Sequence, residues 1–120
     1  MSFVRLMNNT KWEEIRLGMY RLDDLSPMWR TKDVENHYVC DWDGEWFHHF
    51  RISGYEFIEW LEIATTSPEQ TAAVGAVLAR IHVPGEQVGC VFRVFGYASI
   101  GKVVEYLALA NHSLRHASPG

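Results

Sequence analysis

At 120 residues, with 48% hydrophobic and 22% charged residues, the chain has the balance of a globular domain long enough to bury a core without a disulfide or metal staple. The formal net charge is −4 and Lys and Arg are nowhere clustered, which excludes a phosphate-reading nucleic-acid surface; no apolar run is long enough to span a bilayer. Two cysteines make no disulfide framework and no signal-like segment opens the chain, so the expected compartment is a reducing cytoplasm.

After a short leader, Thr10 with Glu13 three residues on reads as a capping box that starts a helix over about 11–22. Trp12, Ile15, Met19 and Leu22 share one face of it, and Gly18 weakens it. A loop over 23–27 leads to a strand at 28–34. A second strand is expected at 37–42, with Tyr38, Cys40 and Trp42 on one side. Asp43-Gly44 then reads as a two-residue hairpin turn, since Asp-Gly accepts positive φ. The return strand, 45–50, puts Trp46, His48 and Phe50 on one face. Ser53-Gly54 turns the chain into a fourth strand, 55–63, apolar on both faces: Phe57, Leu61 and Ile63 against Ile58 and Trp60. That two-sided pattern predicts a central strand.

Ser67-Pro68-Glu69-Gln70 starts a second helix, with Ser67 as N-cap and Pro68 at the first helical position. Val74, Val77, Leu78 and Ile81 line one face as far as Pro84-Gly85. A strand follows at 88–95, and Ile100, Val103, Val104 and Leu107 have the spacing of a last helix. Residues 112–120 read as a frayed tail. The expectation is one α+β domain over 1–120, ordered over about 9–110. It has an antiparallel sheet of about five strands, a four-strand meander plus one late strand, with N-terminal, middle and C-terminal helices packed on it.

Charge is unevenly spread. Residues 36–65 hold six acids and one base, Arg51, whereas 1–35 hold six of each and 66–120 hold three acids and four bases. Cys40 to Ile63 also contains three of the five tryptophans. Adjacent strand residues point to opposite faces, so His48-His49 does not chelate one ion, and no metal or cofactor site is expected. Cys40 lies beside Asp41, which disfavours a thiolate, so both cysteines read as small buried hydrophobes. Glu59 stands out among the carboxylates as the one placed on a central strand beside apolar neighbours, with Arg30, Lys32 or Arg51 as internal partners.

The runs WRTKDVENHYVCDWDGEWFHHF (29–50), IEWLEI (58–63) and IHVPGE (81–86) resemble a small bacterial family with tryptophan-rich hairpins, known as a domain of unknown function. The resemblance covers about Asn9 to Tyr97 and implies no activity or catalytic residue. In size, acidity and aromatic hairpins the chain also resembles the small antitoxin or immunity proteins encoded beside bacterial toxins.

The expected function is a cytoplasmic bacterial protein-binding module, an immunity or antitoxin protein in its specific form, rather than an enzyme. Its expected contact face is Asp41, Asp43, Glu45, Glu56, Glu59 and Glu62 with Trp42 or Trp46 as anchor, set against a basic partner such as a toxin. The chain itself would be a monomer or homodimer, with no nucleic-acid or membrane partner. The alternative is a small-ligand protein or enzyme with a carboxylate and histidine pocket.

Overall fold

A computed structural model of the chain describes residues 3–99, 101 and 104–108. The elements are β1 (Phe3–Arg5), α1 (Asn9–Tyr20), β2 (Met28–Asp33), β3 (Ile58–Ala64), α2 (Pro68–Ile81), β4 (Gly85–Val88), β5 (Val91–Phe95) and β6 (Tyr97–Ser99). Four strands form one antiparallel sheet in the order β2-β3-β5-β4, and β1 pairs with β6 in a second, two-stranded one. The architecture is mixed α and β with antiparallel sheets, as expected, but with two helices and six strands among the described residues in place of three and about five.

β3 is central, flanked by β2 and β5. Leu61 and Ile63 point to the helix side and are fully buried with Trp29, Phe92 and Val94, against Ile15 and Met19 of α1 and Val74, Val77 and Leu78 of α2. The two helices cross closely because Gly18 has no side chain: a Cβ there would lie 2.7 Å from Val77 Cγ1. The glycine that weakens α1 in isolation is what lets α2 approach it.

α2 begins as its sequence dictates, with the Gln70 N–H donating to Ser67 Oγ at 3.0 Å. It ends on His82 in the left-handed conformation, φ 66°, two residues before the expected Pro84-Gly85 stop. α1 starts earlier than expected. Asn8, in extended conformation, accepts the Lys11 N–H at 2.8 Å and caps the helix, so Thr10 lies inside the first turn and is exposed. Glu13 is not available for a capping box because it binds Arg16 and accepts from the Tyr55 hydroxyl at 2.9 Å.

Three expected strands are corrected. Residues 37–42 lie beside β2 but bridge it only at Lys32–Val39, with a further bridge at Trp29–Asp43. Residues 45–50 form no strand; they pass through turns into a 3-10 turn over His49–Arg51. The run 88–95 is not one strand: Val88 ends β4, the chain turns at Gly89-Cys90 with Gly89 at φ 62°, and β5 returns to pair with β4. The C-terminal helix is also absent over 104–108. There the chain is extended along the residues after α2, with the Gly85 N–H donating to the Glu105 carbonyl and the Leu107 N–H to that of Val83, both at 2.9 Å. Ile100, Val103 and the tail 112–120 lie outside the described residues.

Candidate functional site

The stretch between β2 and β3, residues 34–57, has no continuous ladder: scattered backbone bonds tie it to β2, among them those exchanged by Trp29 and Asp43 and that from the Cys40 N–H to the Thr31 carbonyl, and side chains hold the rest. Asp43 has no positive φ, so the expected Asp43-Gly44 hairpin turn does not form. The Asp43 carboxylate instead accepts the Glu45 N–H at 2.8 Å, and Glu45 Oε1 accepts the His48 and His49 N–H groups at 2.9 and 2.7 Å. These local bonds offer the backbone an alternative to strand pairing. They also bring Trp46 and Phe50, four residues apart, inward together, where a strand would have presented His48 on the same face.

Both rings are buried. Phe50 is the hub of an aromatic cluster, 4.9 Å from Trp46, 5.2 Å from Trp29, 5.8 Å from Tyr55 and 6.1 Å from Trp12 between centroids. Trp46 Nε1 donates to the Pro27 carbonyl at 2.8 Å, and Trp29 Nε1 to that of Glu45 at 3.1 Å. From α1, the buried Arg16 donates to the Phe47 carbonyl at 2.6 Å and pairs with Glu13. The Arg16 guanidinium holds the Glu13 carboxyl below its ordinary value. Burial, followed by the hydrogen bond to that carboxylate, pushes the Tyr55 hydroxyl up to about 12.

Beside the cluster, His49 Nδ1 lies 2.9 Å from Asp43 Oδ2. The hydrogen bond to Asp43 raises the imidazole above its ordinary value. Asp43 is lowered: burial acts to raise it but is outweighed by the Glu45 N–H and by His49. His49 and Cys40 line a cavity of about 150 Å³ together with Asp33, Tyr38 and Ser53. The Cys40 sulfur accepts the Thr31 N–H at 3.3 Å, substituting for a carbonyl where residue 40 leaves the strand register. Neither cysteine is the buried hydrophobe expected: Cys40 is half-buried and Cys90 is exposed in the β4–β5 turn. Among the described residues, no group of three His, Cys, Asp or Glu is placed to hold a metal ion.

The expected contact residues separate into four groups. Trp46 is core and does not reach the surface. Glu62 and Glu59 are paired inside the sheet: Glu62 is clamped between Arg30 at 2.8 Å and Arg93 at 2.5 Å, and Glu59, the extra residue of a β-bulge opposite Lys32 and Asp33, lies 3.7 Å from Lys32 Nζ. Burial acts to raise the Glu62 carboxyl, but hydrogen bonds from Arg93 and Arg30 hold it below its ordinary value. Asp43 and Glu45 hold His49 and the local turn. Asp41, Trp42 and Glu56 remain exposed, and neither Asp41 nor Glu56 makes an ion pair with a described residue.

A second surface was not anticipated from the sequence. The sheet face away from the helices carries Arg30, Glu62, Arg93 and Glu86 side by side in register across β2, β3, β5 and β4. The Arg30 guanidinium lies 4.5 Å from the centre of the Trp42 ring, and that of Arg93 lies 4.5 Å from that of Trp60. Trp60 is therefore a half-exposed residue of the open face, not part of the core. The available signal was charge at the strand period: Arg30 and Lys32, then Glu62, then Glu86 and Arg93.

A family model described as a family of unknown function, DUF6678, matches residues 1–101. The chain belongs to that family. DUF6678 membership brings no activity, and the match does not extend to an immunity-protein family. Neither the curated proteins nor the solved structures contain a match to the chain. No described helix is long and apolar enough to cross a membrane.

Proposed function

We propose that this chain is a protein-binding module whose partner docks on the irregular segment 34–57. The observation that carries the reading is a contrast within that segment. Its inner side is fixed by Trp46, Phe50 and the Asp43 and Glu45 bonds, while Tyr38, Val39, Trp42 and Ile52 are left exposed, Tyr38 by 63% and Ile52 by 71%. Long irregular segments on a rigid base are where recognition residues concentrate, and pre-ordering them lowers the entropic cost of binding. Trp and Tyr are the residue types enriched among interface anchors.

In its specific form, the module neutralises a basic toxin in the bacterial cytoplasm, with Asp41 and Glu56 steering the encounter. Asp43, Glu45, Glu59 and Glu62 are engaged internally, so steering rests on fewer acids than the composition of the stretch suggests. The test is capture from the cytosol of the source cell by immobilised wild type and by a Tyr38→Ala, Asp41→Lys, Trp42→Ala triple variant of unchanged melting temperature. The expected result is one protein held in stoichiometric amount by the wild type and lost by the variant, with an on-rate that falls as salt is added. A partner held equally by both, or none held by either, would contradict the reading.

The Asp43–His49 pair beside the cavity favours a second reading, a small-ligand pocket. A ligand that raises the melting temperature of the wild type but not of His49→Ala would move the assignment there.

A further inference from the structure

The open face of the sheet is ordered in rows, and the order has a symmetry. Reading across β2, β3, β5 and β4, one row is Met28, Ala64, Val91 and Val88. The next row, two residues along each strand, is Arg30, Glu62, Arg93 and Glu86. The first row is apolar throughout. The second alternates in sign, plus, minus, plus, minus. A row of four alternating charges, reversed end to end and laid against itself, places every charge opposite its complement.

Part of this pattern serves the sheet itself. Opposite charges on neighbouring strands stabilise pairing, and the Arg30–Glu62–Arg93 ladder needs no other explanation. The remainder is not explained so. Glu86 stands directly across from Arg93 yet makes no ion pair with any described residue. Val88 is 71% and Met28 44% exposed at the two ends of the apolar row. An open groove of about 350 Å³ runs over the face, lined by Arg30, Trp42, Glu62, Glu86, Val88 and Arg93 among others. On this face Trp42 is placed over Arg30, and Gly44 comes close to the Met28 side chain at its edge.

We propose that the occupant of this face is a second copy of the chain, packed sheet against sheet about a twofold axis that runs along the strands between β3 and β5. That axis keeps position along the strands and reverses their order. β2 then lies over the partner's β4, and β3 over the partner's β5. Arg30 faces Glu86 of the partner subunit, and Glu62 faces Arg93 of the partner subunit. The apolar rows fall on each other, Met28 against Val88 of the partner subunit. Sheets packed face to face sit about 10 Å apart, within reach of an arginine from one side and a glutamate from the other. A twofold axis along the rows would set like charge on like. A partner of uniform sign, basic or acidic, would be repelled by half of the row, so self-association suits this face better than either.

Four strands about 4.8 Å apart and roughly 17 Å long give a flat footprint on the order of 300 Å² per copy. That is well below the roughly 800 Å² per partner of a long-lived complex, so the dimer is weak and forms with rising concentration. The inference shares Trp42 with the reading of segment 34–57, but its test rests on Arg30 and Glu86, which lie outside that segment, so the two can fail separately.

The experiment is sedimentation velocity over a wide concentration range on the wild type, on Arg30→Glu, on Glu86→Arg, and on an equimolar mixture of the two variants. The wild type is expected to shift from monomer towards dimer. Each variant alone sets two like charges against each other at the ends of the row, and should weaken association by about tenfold or more. The mixture should restore it, because the reversed row of one variant complements that of the other at all four positions. A charge change acting only through the fold of one chain gives no such rescue. Glu86 has no ion pair to lose, so Glu86→Arg tests the interface even if Arg30→Glu misfolds beside Glu62, and Val88→Asp does the same in the apolar row. A wild type that stays monomeric throughout, a Glu86→Arg variant that dimerises like the wild type, or two folded variants whose mixture fails to associate would each overturn the proposal.

Discussion

The unit α2–β4–β5 with β3 and the segment 34–57 share one core but are ordered by different means. In the former, backbone groups pair with backbone groups, and side chains follow the periods of helix and strand. In the latter, backbone bonds to β2 are scattered, carboxylates, indole N–H groups and a guanidinium take other backbone partners, and the aromatic rings fill the space so enclosed. The difference teaches that an irregular segment gains its order from individual side chains. A single substitution there removes both a contact and a backbone restraint, whereas in the ladder most backbone bonds survive any one change.

The most severe way to break the comparison is Trp46→Ala. Trp46 is 2% exposed and its indole N–H holds the Pro27 carbonyl, so the cost should be about 3–5 kcal/mol, as large as that of Leu61→Ala in the central strand. Denaturant melts of both variants make the test, and a Trp46→Ala cost under about 1 kcal/mol would mean the segment is only loosely attached.

Next in size is Glu45→Ala, expected to cost about 1–2 kcal/mol because both His48 and His49 lose their N–H acceptor. Trp60→Ala sharpens the contrast between core and open face. Trp60 stacks on the Arg93 guanidinium on the open face, so its loss should cost about 1 kcal/mol rather than a core value.

How much of this could be read beforehand follows the same division. α2 was legible from Ser67 and Pro68 alone, because its start is a local matter. β2 was legible from its alternation, and the central place of β3 from apolar residues on both sides, although the expected strand began too early, since Tyr55–Phe57 form a 3-10 turn, and Trp60 lies on the open face. Trp46, His48 and Phe50 also alternate, which suggests a strand: the helical spacing of Trp46 and Phe50 was the competing signal, with Asp43 two residues, and Glu45 three and four residues, ahead of the N–H groups they bind. The β4–β5 turn was hidden in the mostly apolar run 88–95, although Gly89 marked it, and β4 itself is the polar stretch Gly85–Val88 ahead of it. Residues 104–108 have apolar spacing suited to a helix, but the free edge at Val83 and Gly85 takes their backbone groups. Cross-strand rows on the open face depend on register, and register between β3 and β5 is a long-range property.

The smallest expected effect is on pH dependence. His49 binds Asp43 and is raised, so its share of stability is present below its ordinary value near 6.5 and is lost as pH rises through the higher folded value. Asp43 is lowered, so its share is present above its ordinary value near 3.8 and is lost as pH falls through the folded one. The pair therefore contributes most between about pH 4 and 6.5. An NMR titration should place His49 above an ordinary histidine, and Asp43→Asn should return it downward.

The central claim is that segment 34–57 is held as firmly by side chains as the sheet is by its ladder. Native-state hydrogen exchange of individual amides tests it most directly. The amides of Glu45, His48 and His49, which donate to carboxylates, should be protected to within about tenfold of those in β3. Exchange of these three at the rate of an unstructured chain, with β3 still protected, would contradict the account.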